Sequence, residues 1–322
     1  MRIPDVPFHA KRVISQHLRW NSMAIAGSFV LVGIAFVILC MTLRDVGLAT
    51  VIAAIRSTPP QRLFAASVFV FCSYVTLTFY DYFALHAVGR REIPYPTAAF
   101  AGFASYAIGH CIGVTFLAGG AVRLRIYSAW GLGIIEVAKI AFMTGLTFWL
   151  GNVCALGLAL TVAADAAIAV TKLPAWSNQA LGIVGLAAVA GYIAWLMPKS
   201  RIVGFANWQV TLPNAQMTFV QIGIGVLDLA AGSLATYVLL PAQPSIDYVV
   251  VAVAYVFAAL LGFLSHAPGS LGVFEVAMLV MLPQYHKDAL LASLLILHCL
   301  YFVLPVTVAL FMLGVRETRL AR

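Results

Sequence analysis

The chain has 322 residues, of which 63% are hydrophobic and only 9% charged, against roughly 25% charged residues in an ordinary globular domain. So few charges cannot coat a water-soluble surface, and the apolar excess must face lipid. The formal net charge of +8 comes from basic residues scattered over loops and ends, a pattern suited to anionic headgroups rather than to nucleic acid.

Lys11, Arg12 and Arg19 precede an apolar run from Asn21 to Leu43. This run is longer than a signal-peptide core and no clean small-residue cleavage site follows it, so it reads as the first span. Further uninterrupted runs fall at about 62–87, 132–164, 178–197, 217–240 and 289–313, each long enough to cross a bilayer as a helix. The alternating ten-residue segments of a β-barrel are not seen. The longest polar stretches, 1–21 and 198–216, are too short to fold alone, so no soluble domain is expected. The five cysteines, Cys40, Cys72, Cys111, Cys154 and Cys299, lie within apolar runs without metal-ligand spacing. They read as small fillers of helix interfaces.

Two more apolar segments are interrupted. One, at about 97–120, contains Gly102, Gly109, Gly113, Gly119 and Gly120; the other, at about 249–282, is broken by Ser265-His266-Ala267-Pro268-Gly269-Ser270-Leu271-Gly272. Proline removes a donor and glycine tolerates unwound backbone. Such breaks persist at membrane depth only against protein or a wet cavity.

The lysines and arginines choose between two topologies. If both broken segments cross, ten basic residues are cytoplasmic against eight outside; if both are re-entrant, thirteen face five. The second arrangement fits better and puts both termini in the cytoplasm. It also contains a repeat: span starts near 22, 62 and 132 recur near 178, 217 and 289, and His110 recurs as His266, with separations of 155 to 157 residues. Three spans per half reverse the second copy, an arrangement found in secondary transporters, where paired interrupted segments mark the binding site. The expected fold is an all-α integral membrane protein with about eight membrane segments. Six are full spans and two are re-entrant broken helices, in two inverted-topology repeats. The expected divisions are a cytoplasmic basic segment at 1–21, repeats at 22–170 and 171–314, and a basic tail at 315–322.

Ionisable groups inside membrane segments are costly and are functional candidates. Asp81 lies near the end of the second span and Asp228 lies mid-span, where it needs another helix or a cavity. Glu136 and Lys139 share a helix face, as a local ion pair or a functional one. Arg123 and Arg125 follow Gly119-Gly120, which reads as a hinge; their planar forks suit phosphate, and a positive-inside anchor is the alternative. A helix starting near Leu271 would present its positive end to phosphate, with Gly269 and Ser265 in the preceding break. Glu275 falls in its first turn. His266 can titrate near neutrality, while His298 reads as a core histidine.

Gly119-Gly120-Ala121-Val122-Arg123-Leu124-Arg125-Ile126-Tyr127, together with Ser265-His266-Ala267-Pro268-Gly269 through Gly272-Val273-Phe274-Glu275, resembles the two signature stretches of the lysylphosphatidylglycerol synthase transmembrane family. This is the flippase region of the multiple peptide resistance factor and of its stand-alone homologues. Tyr80-Asp81 with Ala84-Leu85 and Gly89 is similar to a third, weaker stretch. Ser270 departs from the pattern, which often has a second glycine there. The resemblance covers nearly all of the chain and implies movement of phospholipid, including aminoacylated phosphatidylglycerol, between leaflets of a bacterial inner membrane. The cytosolic acyltransferase-like synthase domain of the bifunctional members has no counterpart in these residues.

The expected function is therefore a phospholipid flippase rather than an enzyme. Arg123, Arg125, Gly119, Gly120 and Gly269 would meet the lipid phosphate. Asp81, His110, Glu136, Lys139, Asp228, Ser265, His266 and Glu275 would line the headgroup path. No metal or cofactor is expected, and no nucleotide-binding motif occurs. Expected partners are the phospholipid substrate and anionic lipids, with a second copy or a lipid synthase as further possibilities. The competing readings are a membrane-embedded partner of a synthase and an intramembrane lipid enzyme using His266 and Glu275 as acid and base.

Overall fold

The computed structural model describes residues 52–320 apart from 54–55, 114, 198–200 and 206–207. The expected basic segment at 1–21 and the first span at 22–43 lie outside the described residues. The ordered elements are α1 (Pro60–Ala87), α2 (Tyr95–Ile112), α3 (Thr115–Tyr127), α4 (Ile134–Val162), α5 (Ala164–Thr171) and α6 (Ala175–Leu196), then β1 (Ile202–Phe205) and β2 (Trp208–Thr211). They continue with α7 (Ala215–Leu239), α8 (Tyr248–Ser265), α9 (Val273–Met281), α10 (Lys287–His298) and α11 (Leu304–Leu320). Six helical stretches among the described residues are long and apolar enough to cross a membrane: α1, α4, α6, α7, α8 and the continuous Lys287–Thr318 rod.

Local chemistry sets the helix ends. Pro60 opens α1 and Pro94 precedes α2, positions where the missing N–H costs nothing. Asn214 caps α7 by accepting from the Met217 N–H, and Asp247 caps α8 by accepting from the Val249 N–H. Glu136 and Glu275 each reach back to the backbone N–H of the glycine three residues earlier, Gly133 and Gly272. The 287–318 rod contains a π-turn at Cys299–Val303. Pro305 has no N–H to give the Tyr301 carbonyl four residues back, and the Tyr74 hydroxyl donates to that carbonyl instead, at 3.0 Å.

Each interrupted segment folds back on itself. Gly109 of α2 abuts Thr115, and Ser105 abuts Gly119 of α3, so the two helices run antiparallel from a turn at Gly113, whose φ is 86°. In the second segment Gly262 of α8 meets Ser270, and the Tyr255 ring packs edge-on against Phe274 of α9. The connecting turn places His266, Gly269, Ser270 and Gly272 at positive φ. Ser270 thus adopts, at 56°, the left-handed conformation that glycine takes more easily. The second helix begins at Val273 rather than near Leu271.

Small residues let the helices approach closely, as in membrane bundles generally. Ala98, Ala101, Ala104 and Ala107 form a fully buried face of α2. The backbones of α4 and α7 nearly touch at Gly151 and Gly225, where a β-carbon on Gly151 would stand 2.6 Å from the Gly225 Cα.

Two expectations change. Gly119 and Gly120 are helical within α3 rather than a hinge. The turn falls at Gly113, and Gly119 instead admits the Ser105 carbonyl, 3.1 Å from where its β-carbon would be. The all-α description also needs an addition, because Ile202–Phe205 and Trp208–Thr211 pair antiparallel. This small hairpin is held at its base by the Leu212 N–H donating to the Arg201 carbonyl and rests Trp208 edge-on against Phe142.

Gly151→Val should lower the thermal midpoint of the purified protein in detergent by the equivalent of about 1–3 kcal/mol, because overpacking forces α4 and α7 apart. Gly120→Ala, where a β-carbon would meet nothing within 4 Å, should raise that midpoint by the equivalent of up to about 1 kcal/mol, because alanine is favoured over glycine inside a helix.

Candidate functional site

The turns of the two hairpins touch. A β-carbon on Gly113 would lie 2.7 Å from the Ala267 carbonyl oxygen, so the first turn seats directly on the backbone of the second. Beside this contact is a cavity of about 100 Å³ walled by both turns and by α1, α4, α7 and the π-turn. Most of its lining is apolar or aromatic. Asp228 supplies its carboxylate and His110 its imidazole.

Asp228 is held by hydroxyl groups. The Ser73 hydroxyl donates to Oδ1 at 2.5 Å, and the Tyr80 hydroxyl reaches Oδ2 at a long 3.5 Å. The Ser73 oxygen is also 2.7 Å from the Tyr301 hydroxyl, extending the network into the π-turn. Four buried carboxylates occur among the described residues: Asp81, Asp228, Glu275 and Glu317. Three have a basic partner within ion-pair distance, and Asp228 has none.

Asp81 and Arg123 form the most enclosed pair, at 0% and 4% exposure. The guanidinium donates from Nε to both carboxylate oxygens at 3.0 Å and from an Nη to Oδ1 at 2.6 Å. The Tyr127 hydroxyl adds a bond to Oδ2 at 2.8 Å, and the guanidinium carbon lies 5.0 Å from the centre of the Tyr106 ring. Planar arginine is suited to this combined fork and stack. The pair ties the first hairpin to α1 from inside the bundle. Arg123 is thus spent on a carboxylate rather than standing exposed at headgroup level.

Arg125 pairs with Glu317 near the end of α11, and Arg316 shares that carboxylate at 3.1 Å. Glu136 pairs with Arg90 at 2.8 Å rather than with Lys139, and Glu92 joins Arg90 at 3.0 Å. The Glu136 hydrogen bond holds the Arg90 guanidinium proton above its ordinary range. Glu136 and Lys139 therefore sit at the outer end of α4, away from the cavity lining.

Glu275 does more than complete a capping box. Its second oxygen lies 3.2 Å from His298 Nδ1, with both side chains buried. The other ring nitrogen of His298 faces Gly269, 3.1 Å from where a β-carbon would stand. His266, at the turn itself, directs Nδ1 to the Leu264 carbonyl at 2.9 Å, and the Ser265 hydroxyl donates to the Gly262 carbonyl while accepting from the Ala267 N–H. Glu275 and His266 thus have different partners and do not form an acid–base couple with each other. Ser73, Tyr106 and Tyr301, unassigned from sequence, are neutral or aromatic members of apolar runs, whereas Tyr80 and Tyr127 stand in the resembling stretches without a site role and His298 reads as a core histidine. The only local signal was that Ser73, Tyr80 and Asp81 are seven and eight residues apart and share one helical face.

Helices of spanning length, two facing hairpins and an enclosed polar centre define a multi-pass helical membrane protein. No protein-family model matches the chain. It is 29% identical over 276 residues to the uncharacterized protein slr0712 of Synechocystis, covering 85% of each chain. It is also 24% identical over 308 residues to the inner membrane protein YbhN of Escherichia coli, covering 91% of this chain and 92% of that one.

Arg123→Ala should cost about 3–5 kcal/mol, because it leaves Asp81 buried and uncompensated. Thermal unfolding in detergent would measure this. The double replacement Asp81→Asn/Arg123→Gln should be milder than Arg123→Ala, and so should Arg125→Ala, because Glu317 keeps Arg316.

Proposed function

We propose that this protein is a transporter that moves phospholipid between the leaflets of a bacterial inner membrane, with an aminoacylated or unmodified phosphatidylglycerol as the lipid class suggested by the sequence resemblance. The observation that carries the reading is the pair of hairpins whose turns meet beside a cavity lined by Asp228 and His110 within otherwise mostly apolar walls. Unwound backbone at membrane depth has a use there: it lines a path for a headgroup that hydrocarbon would exclude.

In this reading both hairpins are re-entrant, both termini are cytoplasmic, and the halves are inverted copies. Side-wall grooves support the duplication. One, of about 530 Å³, lies between α1, α2 and α11; another, of about 340 Å³, lies between α7, α8 and α4. Val70, Tyr74 and Thr78 in the first correspond to Val226, Leu229 and Ser233 in the second, 155 or 156 residues later. Ala99 and Phe103 correspond to Ala252 and Val256, both 153 residues later. Both volumes are within the ~300–1,000 Å³ of ordinary ligand pockets, and the apolar walls suit acyl chains. A lipid would keep its tails in a groove while its headgroup enters the cavity. Asp228, His110 and the backbone of the two turns would meet the headgroup. Arg123 would act by holding the first hairpin against Asp81, and Arg125 by anchoring it to α11.

The synthase-partner reading is compatible with this one, and a co-purifying synthase would add it. For transport itself the test is leaflet exchange in proteoliposomes. A fluorescent phosphatidylglycerol should equilibrate faster than in protein-free vesicles. Ala259→Trp, which fills the cavity from α8, should slow that exchange roughly tenfold, the equivalent of about 1.4 kcal/mol in barrier. Unchanged exchange in a folded Ala259→Trp protein would remove the cavity from the path.

A further inference from the structure

We infer that Asp228 is a proton-binding site and that its protonation couples lipid movement to the transmembrane proton gradient. This rests on the transport reading above and assigns it an energy source.

The first observation is the contrast among buried acids. Asp81, Glu275 and Glu317 each have arginine or histidine within ion-pair distance, whereas Asp228 has none among the described residues and faces hydroxyls and, across the cavity, the His110 imidazole. A carboxylate inside a membrane bundle without a cationic partner is costly while it is charged. It has two remedies, a proton or a bound cation. The surroundings favour the proton. A metal ion needs a shell of several oxygen lone pairs, but Ser73 and Tyr80 approach as donors, and the adjoining helical carbonyls of α1 and α7 are committed to their own helices.

The second observation is an acceptor left partly open. Ser73 donates to Oδ1 at 2.5 Å with the Thr76 hydroxyl also beside the carboxylate, while the Tyr80 hydroxyl reaches Oδ2 at 3.5 Å, at the limit of a useful bond. Asp228 also lines the central cavity, so a proton can reach that oxygen from the space proposed for the headgroup. The groups facing it are Ser73, Tyr74, Thr76 and Tyr80 from α1, Tyr106 and His110 from α2, Tyr255 from α8 and Tyr301 from the π-turn. All are neutral hydroxyls apart from the His110 imidazole, whose Nδ1 is buried without a hydrogen-bond partner. Arg123 stands over the Tyr106 ring and its charge also acts on His110, but that guanidinium is paired with Asp81.

The third observation is position. Ser73 and Asp228 are 155 residues apart, the same spacing that relates α1 to α7 in the proposed duplication. Equivalent residues of two inverted copies can touch only at the axis relating them, which lies in the membrane plane. The Ser73–Asp228 bond therefore bridges the halves at mid-depth. Uptake of a proton converts the carboxylate to a carboxylic acid and weakens the charge-assisted bond from Ser73. Release restores it. One seam between the halves is thereby set by the proton.

The test uses the full chain in vesicles of phosphatidylethanolamine and phosphatidylglycerol, with a trace of short-chain fluorescent phosphatidylglycerol and a lumenal pH dye. Membrane potential is clamped, and exchange is read by reduction of the outer leaflet. Wild-type exchange should change several-fold with an imposed pH gradient and be accompanied by proton flux. Asp228→Asn should lose both responses, and Asp228→Glu should recover them. Infrared difference spectra against pH should show a protonated-carboxyl stretch that is missing in Asp228→Asn and displaced in frequency in Ser73→Ala. Exchange that ignores the gradient, while the Asp228 band is present, overturns coupling alone. Absence of the band at every pH overturns proton binding. Absence of exchange under all conditions overturns the transport reading itself, with the infrared titration still reporting Asp228 separately.

Discussion

Every part of this structure answers to the rule that a backbone N–H or C=O cannot be left unpaired in hydrocarbon. The chain breaks two of its apolar helical segments, at Gly113 and again between His266 and Gly272, and each break frees polar backbone groups that the bundle must serve. The solution is to bring the breaks together, with the first turn seated on the carbonyls of the second. The same rule explains the π-turn. Pro305 withdraws a donor, and a tyrosine from another helix replaces it. Once the two turns must meet inside the bundle, the helices around them have to pack without bulk, and the buried alanine face of α2 and the Gly151–Gly225 crossing follow.

The buried carboxylates among the described residues divide into three that hold this arrangement and one that does not. Asp81 with Arg123 and Glu317 with Arg125 fasten the first hairpin to α1 and to α11. Glu275 with His298 fastens the second hairpin to α10. In each, a carboxylate has a basic side chain within ion-pair distance, which is how a bundle tolerates acids away from water. Asp228 is the exception, open to the cavity and served by hydroxyls.

What could be read from the sequence is what depends on near neighbours. Spans at 62–87, 132–164, 178–197, 217–240 and 289–313 fall within a few residues of α1, α4, α6, α7 and the 287–318 rod, because an apolar run of that length has few other structures available. Both interrupted segments do break, and Glu275 does sit in a first helical turn. Partners distant in sequence were not legible: Asp81 to Arg123 spans 42 residues, Ser73 to Asp228 spans 155 and Arg125 to Glu317 spans 192. Counting glycines could not reveal that Gly113 turns while Gly119 packs, since the two uses differ only in what lies opposite. The β-hairpin was missed because four-residue strands are too short to show an alternation.

The seating of one turn on the other has an evolutionary consequence. It is made of main-chain atoms and the absence of a side chain at Gly113, so it does not depend on which polar residues surround the cavity. A cavity-facing position such as Ala259 can therefore change its side chain without touching this contact. The frame of the two turns and the chemistry of the cavity wall thereby rest on different atoms and can vary separately.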